Sequence, residues 1–212
     1  MCRLLYIKST DLFDPIDHLK QFAQMAKNSL EYQGHGWGCA FLVKNEWKYY
    51  KNINPIWEDN FENIPKTSLL LVHARSAYKD EGIVIENNMP FYDDKQVFIF
   101  NGELQGVKIK SEGRIGAEKI FNYLKRFEND NLTLESFKKG LEIIEKRSDY
   151  IKAMNIIVAT KEKAFVSSLF NERDDYFTLR YFEDETKKIV CSEPYPLIKG
   201  CSSIENKSFN VI

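Results

Sequence analysis

The sequence predicts an α+β fold in a single domain covering residues 1–212. Apolar runs of strand length fill the first half and the last third, and two segments of helical period lie between them. Size agrees: 212 residues, 43% hydrophobic and 14% aromatic, suffice for one substantial core. No internal repeat, low-complexity tract or linker divides the chain.

Residues 2–7 read as a first strand. Asp14 and Pro15 then signal a helix start, and Ile16, Leu19, Phe22, Ala23, Ala26 and Leu30 recur at helical spacing, giving one apolar face. "GWGCAFLV" and "EWKYY" follow as strands joined by a turn at Lys44 and Asn45, while "SLLLVHA" and "QVFIF" have the length of buried strands. Helical period returns in "GAEKIFNYLKRF" and "LESFKKGLEIIEK". "AMNIIVAT", "KAFVSSLF", "YFTLRYF" and "KKIVCSE" close the chain as strands with polar turns, so the helices pack on outer faces of sheets.

Composition excludes several function classes. Thirty basic against thirty-one acidic residues, a net charge of -1, give no electrostatic footprint for nucleic acid. The cysteines Cys2, Cys39, Cys191 and Cys201 form no CxxC pair, and His18, His35 and His73 lack ligand spacing, so neither a metal site nor a disulfide framework is expected. "GHGWG" is too short for a phosphate-cradling loop and no GxGxxG or Walker pattern occurs, so no cofactor is expected. The apolar runs fall short of a membrane span, and no signal core precedes "KSTDLFD"; the expectation is a cytoplasmic protein without a membrane partner.

Three places carry candidate chemistry. By position alone Cys2 suits a buried strand thiol. Removal of Met1, which a small following residue permits, would instead leave it with both a thiol and an α-amine titrating near pH 8, a nucleophile with its own base. "VHARSAY" sets His73 and Arg75 at the end of a buried strand; Arg75 suits a carboxylate ligand or an ion pair, and His73 a hydrogen-bonded core position. In "FIFNGEL", Asn101 and Gly102 can donate an amide and a backbone N–H to a developing oxyanion, although "NG" by itself reads as a hairpin turn.

Taken in order, "MCRLL", "GWG", "HAR", "PF", "NGE" and a late "SEP" resemble a class II glutamine amidotransferase, most of all the short stand-alone members, over nearly the whole chain. The resemblance implies an N-terminal-nucleophile hydrolase fold: a four-layer α/β/β/α sandwich of two antiparallel sheets. It implies Cys2 as nucleophile, Arg75 as ligand of a substrate α-carboxylate, Asn101 and Gly102 as the oxyanion hole, and support from Trp37 within Gly36-Trp37-Gly38. The implied substrate is glutamine or a γ-glutamyl-type small molecule, with a separate synthetase as a possible ammonia acceptor. The chain departs from the pattern at His35, where an acidic residue is usual, at Met89 before Pro90-Phe91, and at Phe100 before the Asn-Gly pair. Gly116 stands where the resemblance places an aspartate for the α-ammonium, leaving Glu112 or Glu118 as substitutes, with Arg114 nearby. Two rival functions remain at this point: a thiol hydrolase using Cys2 with His73 as base, and a non-catalytic relative that binds a small carboxylate or a partner protein.

Overall fold

The computed structural model describes all residues, 1–212. In chain order the elements are β1 (Arg3–Phe13), α1 (Ile16–Lys27), β2 (Trp37–Val43), β3 (Glu46–Asn52), β4 (Thr67–Ala74), β5 (Phe91–Tyr92), β6 (Val97–Gln105), α2 (Gly116–Leu124), α3 (Leu134–Lys146), β7 (Tyr150–Ala159), β8 (Ala164–Ser168), α4 (Asp174–Phe177), β9 (Arg180–Glu183), β10 (Lys187–Cys191), β11 (Ser202–Ser203) and β12 (Ser208–Val211). The strands form two sheets, one of seven in the order β11-β9-β10-β1-β4-β2-β3 and one of five in the order β12-β8-β7-β6-β5. Every pairing is antiparallel. The chain divides into two compact units, residues Met1–Pro90 with Thr178–Ile204, and Phe91–Phe177 with Glu205–Ile212.

In the first unit, period-two alternation along β1 turns Leu5 and Ile7 to one face of the seven-stranded sheet and Leu4 and Tyr6 to the other. Leu19, Phe22, Ala23 and Ala26 of α1 pack on the face of Leu5, Ile7, Leu70 and Val72, as their helical spacing anticipates. Each such Leu, Ile or Phe contributes about 1.5–3 kcal/mol by leaving water. The β2–β3 turn falls at Lys44 and Asn45, with φ of 51° and 63°, the left-handed pair that a two-residue hairpin requires.

In the second unit, α2 and α3 cover one face of the five-stranded sheet. Phe121 meets Phe98 at 5.3 Å between ring centroids, and Phe137 meets Phe165 and Phe209 at 5.9 and 6.4 Å. Thr133 caps α3 by accepting the Ser136 N–H while the Ser136 hydroxyl accepts the Thr133 N–H. Because side chains alternate along β6, Asn101 lies on the face opposite Phe98 and Phe100.

Four readings change. Leu30 is not part of the apolar face of the first helix, because α1 ends at Lys27 and Leu30 is 77% exposed. β1 runs on to Phe13, since its backbone keeps pairing after its side chains become polar and exposed. "YFTLRYF" is not one strand: Asp174 and Asp175 open the short α4 ending at Phe177, and β9 begins only at Arg180. Asn101-Gly102 is not a turn but sits inside β6, paired with Asn155 and Met154 of β7.

Candidate active site

Arg3 pairs with Ala74 across β1 and β4, so the residues that leave these strands together are Cys2 and Arg75. The Cys2 sulfur accepts the Ser76 N–H at 3.4 Å and its S–H donates to the Ser76 carbonyl at 3.6 Å. Burial pushes the thiol above its ordinary pKa; the α-ammonium, the Ser76 N–H and the Arg75 guanidinium pull it down, and Glu31 pushes it up. The α-ammonium, here that of Met1, pairs with Glu31. Gln33, fully buried, donates to the carbonyls of Met1 at 2.5 Å and Glu31 at 2.9 Å.

Arg75 is 6% exposed and no carboxylate pairs with it. Its Nη1 donates to Asn88 Oδ1 at 3.4 Å, and Asn88 Nδ2 in turn donates to the Asn52 carbonyl at 2.8 Å. Burial holds the guanidinium below its usual pKa, and the neighbouring thiol acts in the opposite sense. A buried cation with no counter-ion is costly, so this site favours an anion, whether a thiolate or a ligand carboxylate.

The backbone that presents Arg75 and Ser76 is fastened to residues 35–36. His35 N–H donates to the Arg75 carbonyl at 3.1 Å, Arg75 N–H to the Gly36 carbonyl at 2.9 Å, and Ala77 N–H to His35 Nδ1 at 2.9 Å. Gly36 has φ of 100°, a conformation that other residues rarely adopt. Trp37 is fully buried and acts at a remove: its Nε1 donates to Asp59 at 2.8 Å, a carboxylate also held by Tyr50 and Asn52. His73, fully buried in β4 opposite Leu4 and Gly38, makes no hydrogen bond to the Cys2 sulfur, whose two bonds both go to Ser76.

In the second unit, Asn101 is 1% exposed and neither its Oδ1 nor its Nδ2 has a hydrogen-bond partner. At Gly102 an added Cβ would overlap the Ala153 carbonyl, so glycine is what lets β7 approach. Glu118 is committed locally, accepting the Arg114 backbone N–H at 2.6 Å and the guanidinium at 2.6 and 2.9 Å. Gly116, the first residue of α2, has open space around the position of a Cβ.

Of the residues singled out from the sequence, Cys2 and Arg75 leave the ends of β1 and β4 together, and Asn101 lies within β6 of the second unit; Ser76, which meets the Cys2 sulfur through its backbone, and Glu31 and Gln33, which hold Met1, were not singled out. His35 entered only as a departure from a pattern. No group of three His, Cys, Asp or Glu side chains is placed to hold a metal ion, and no helix is long and apolar enough to cross a membrane.

Neither a family model nor a curated protein matches the sequence. Solved structures do match the fold. A glutamine phosphoribosylpyrophosphate amidotransferase from B. subtilis superposes with a TM-score of 0.69 at 16% identity, covering 100% of this chain and 47% of its own. A glutamine aminotransferase class-II domain protein from Silicibacter pomeroyi gives 0.64 at 13% identity, covering 97% of this chain and 92% of its own. A predicted glutamine amidotransferase from Pseudomonas aeruginosa gives 0.65 at 12%, with 99% and 96% covered. The chain thus spans about half the length of the first and nearly all of the other two. Its two antiparallel sheets with their helices are the N-terminal-nucleophile hydrolase fold of the class II glutamine amidotransferases, stand-alone members included.

Proposed function

We propose that the protein hydrolyses the side-chain amide of glutamine, or of a related γ-glutamyl compound, with Cys2 as the nucleophile once Met1 is removed. The observation that carries this reading is the Cys2 thiol set on the Ser76 N–H beside a buried Arg75 with no carboxylate partner. Arg75 binds the substrate carboxylate through its fork of donors. The freed α-amine takes the thiol proton as sulfur bonds to the amide carbon. Asn101 and Gly102 are assigned to the oxyanion that develops; an Asn amide that is buried and unpartnered, as Asn101 is, suits that task. Collapse breaks the C–N bond, the α-ammonium returns its proton to the leaving nitrogen, and ammonia or an amine departs. Water then cleaves the thioester, leaving the carboxylate product and the free thiol.

A carboxylate-bearing amide other than glutamine is the second reading. Gly116 offers no carboxylate at the start of α2, and Glu118 there is already engaged by Arg114. Intact mass before and after treatment with an electrophilic glutamine analogue, with Cys2→Ala as control, tests both. Loss of Met1 and one adduct missing from the control supports glutamine. A processed chain without adduct directs the search to other amides, and retained Met1 without adduct removes the hydrolase and favours a carboxylate-binding protein.

A further inference from the structure

We propose that His35 is a positioning residue for the Cys2 thiol: its imidazole Nδ1 accepts the Ala77 N–H and thereby fixes the neighbouring Ser76 N–H on the Cys2 sulfur. The inference rests on Cys2 as the reactive thiol of the proposed hydrolase.

Ser76 lies between two anchored residues. On one side Arg75 exchanges backbone hydrogen bonds with His35 and Gly36, at 3.1 and 2.9 Å; on the other, the Ala77 N–H is held by the His35 ring at 2.9 Å, while the Ala77 carbonyl accepts the Asp80 N–H at a longer 3.4 Å. The Ser76 N–H, 3.4 Å from Cys2 Sγ, is the one backbone donor on that sulfur. A donor aimed at sulfur favours thiolate over thiol, against the burial that opposes it. Losing the ring therefore loosens the group that keeps Cys2 reactive.

The contact also fixes the tautomer. An N–H pointing at Nδ1 requires a lone pair there, so the proton resides on Nε2, which lies 3.5 Å from Asp80 Oδ1. The edge of the Tyr32 ring closes a further side, with centroids 5.0 Å apart. Burial holds His35 below its usual pKa; of the charges that face the imidazole, Asp80 favours a second proton, while Arg75 and the α-ammonium oppose it. A second proton on Nδ1 would confront the Ala77 N–H donor to donor, so the imidazolium cannot hold the segment.

The test is the rate of iodoacetamide alkylation at Cys2, followed by mass at the N-terminal peptide from pH 7 to 10, in the wild type, His35→Ala and His35→Asn. The expected result is alkylation about tenfold slower at pH 8 in His35→Ala, with the thiol titration moved upward, because a hydrogen bond to a charged group is lost. His35→Asn, whose side-chain carbonyl can take the Ala77 N–H, stays within about threefold of wild type. Wild-type reactivity in His35→Ala overturns the proposal, and so does a folded His35→Asn as slow as His35→Ala. Should neither variant fold, the wild-type imidazole nitrogen shifts decide: an Nε2–H tautomer with a protected Ala77 amide is expected, and an Nδ1–H tautomer overturns the proposal. Iodoacetamide requires no amide substrate, so normal alkylation without amidase activity refutes the hydrolase and leaves the His35 assignment standing.

Discussion

Two asparagines face each other across β6 and β7, and the contrast between them separates structure from chemistry. Asn155 is fully buried and spends its amide on the fold: Nδ2 donates to the Phe177 carbonyl at 2.6 Å, and Oδ1 accepts the Leu169 N–H at 3.1 Å. Asn101, its cross-strand partner, is almost as buried and spends nothing. Two side chains of one type, on one face of one sheet, thus sit at opposite ends of the satisfaction scale. Desolvating an amide without a partner costs about 1–3 kcal/mol, a cost a fold rarely carries without use.

The largest effect expected from this contrast is on turnover. Asn101→Ala should lower kcat by about 10²- to 10³-fold, the loss typical of one oxyanion donor, while the melting temperature holds or rises because no hydrogen bond is broken. Steady-state kinetics and a thermal melt on one preparation check it; a fall in stability with full activity would reverse the roles given to the pair. Asn155→Ala should do the opposite. It strands the Phe177 carbonyl and the Leu169 N–H, at about 1–3 kcal/mol for each buried orphan, and denaturant unfolding should register the loss.

The sequence "NG" could not distinguish these cases, because an Asn-Gly pair serves a hairpin as readily as a strand. What places Asn101 inside β6 is the close approach of β7 at Gly102, a contact between segments some fifty residues apart. The strands were legible because β1, β4 and β6 carry apolar runs of strand length that are buried on both faces, and α1 because its helical spacing reflects one buried face. Polar pairings that complete edges were not: β11, made of two exposed serines, carries no pattern to read. The candidate site divides the same way. Cys2 and Arg75 stand out by residue type, whereas Ser76 reaches the sulfur through its backbone N–H and His35 reaches Ala77 through a single ring nitrogen.

A third buried polar group sharpens the comparison, for it is satisfied like Asn155 yet able to titrate. His18 is 7% exposed, with Nδ1 2.9 Å from the Tyr195 hydroxyl and the Phe13 ring against its side. Burial, aided by Lys187 and opposed by Asp17, lowers its pKa to about 4. Between that value and an unfolded pKa of about 6.5 the unfolded chain binds the extra proton, so stability falls as pH drops through this window. The loss approaches about 3 kcal/mol at its lower end, at about 1.4 kcal/mol per pH unit. Urea midpoints from pH 7 to 4 should fall more steeply in wild type than in His18→Phe; parallel curves would mean that the imidazole takes its proton without disturbing the fold.

The smallest effect belongs to Glu118, which resembles Asn155 more than Asn101. Both carboxylate oxygens are taken by Arg114, one of them also by its backbone N–H, and the Arg114 guanidinium lies 5.9 Å over the Phe91 ring. The N-terminus of α2 has no side-chain cap at Ile115, so this first-turn carboxylate is what steadies it. Arg114 is half exposed and solvent screens the pair, so Glu118→Gln should cost only about 0.5–1 kcal/mol of stability and leave KM unchanged. If KM for an amide substrate instead rises severalfold while the melt barely moves, the carboxylate is reaching a ligand cation in preference to Arg114. Glu118 would then join Asn101 among the groups held for chemistry, and the open space at Gly116 would be part of a site that still recognises an α-ammonium.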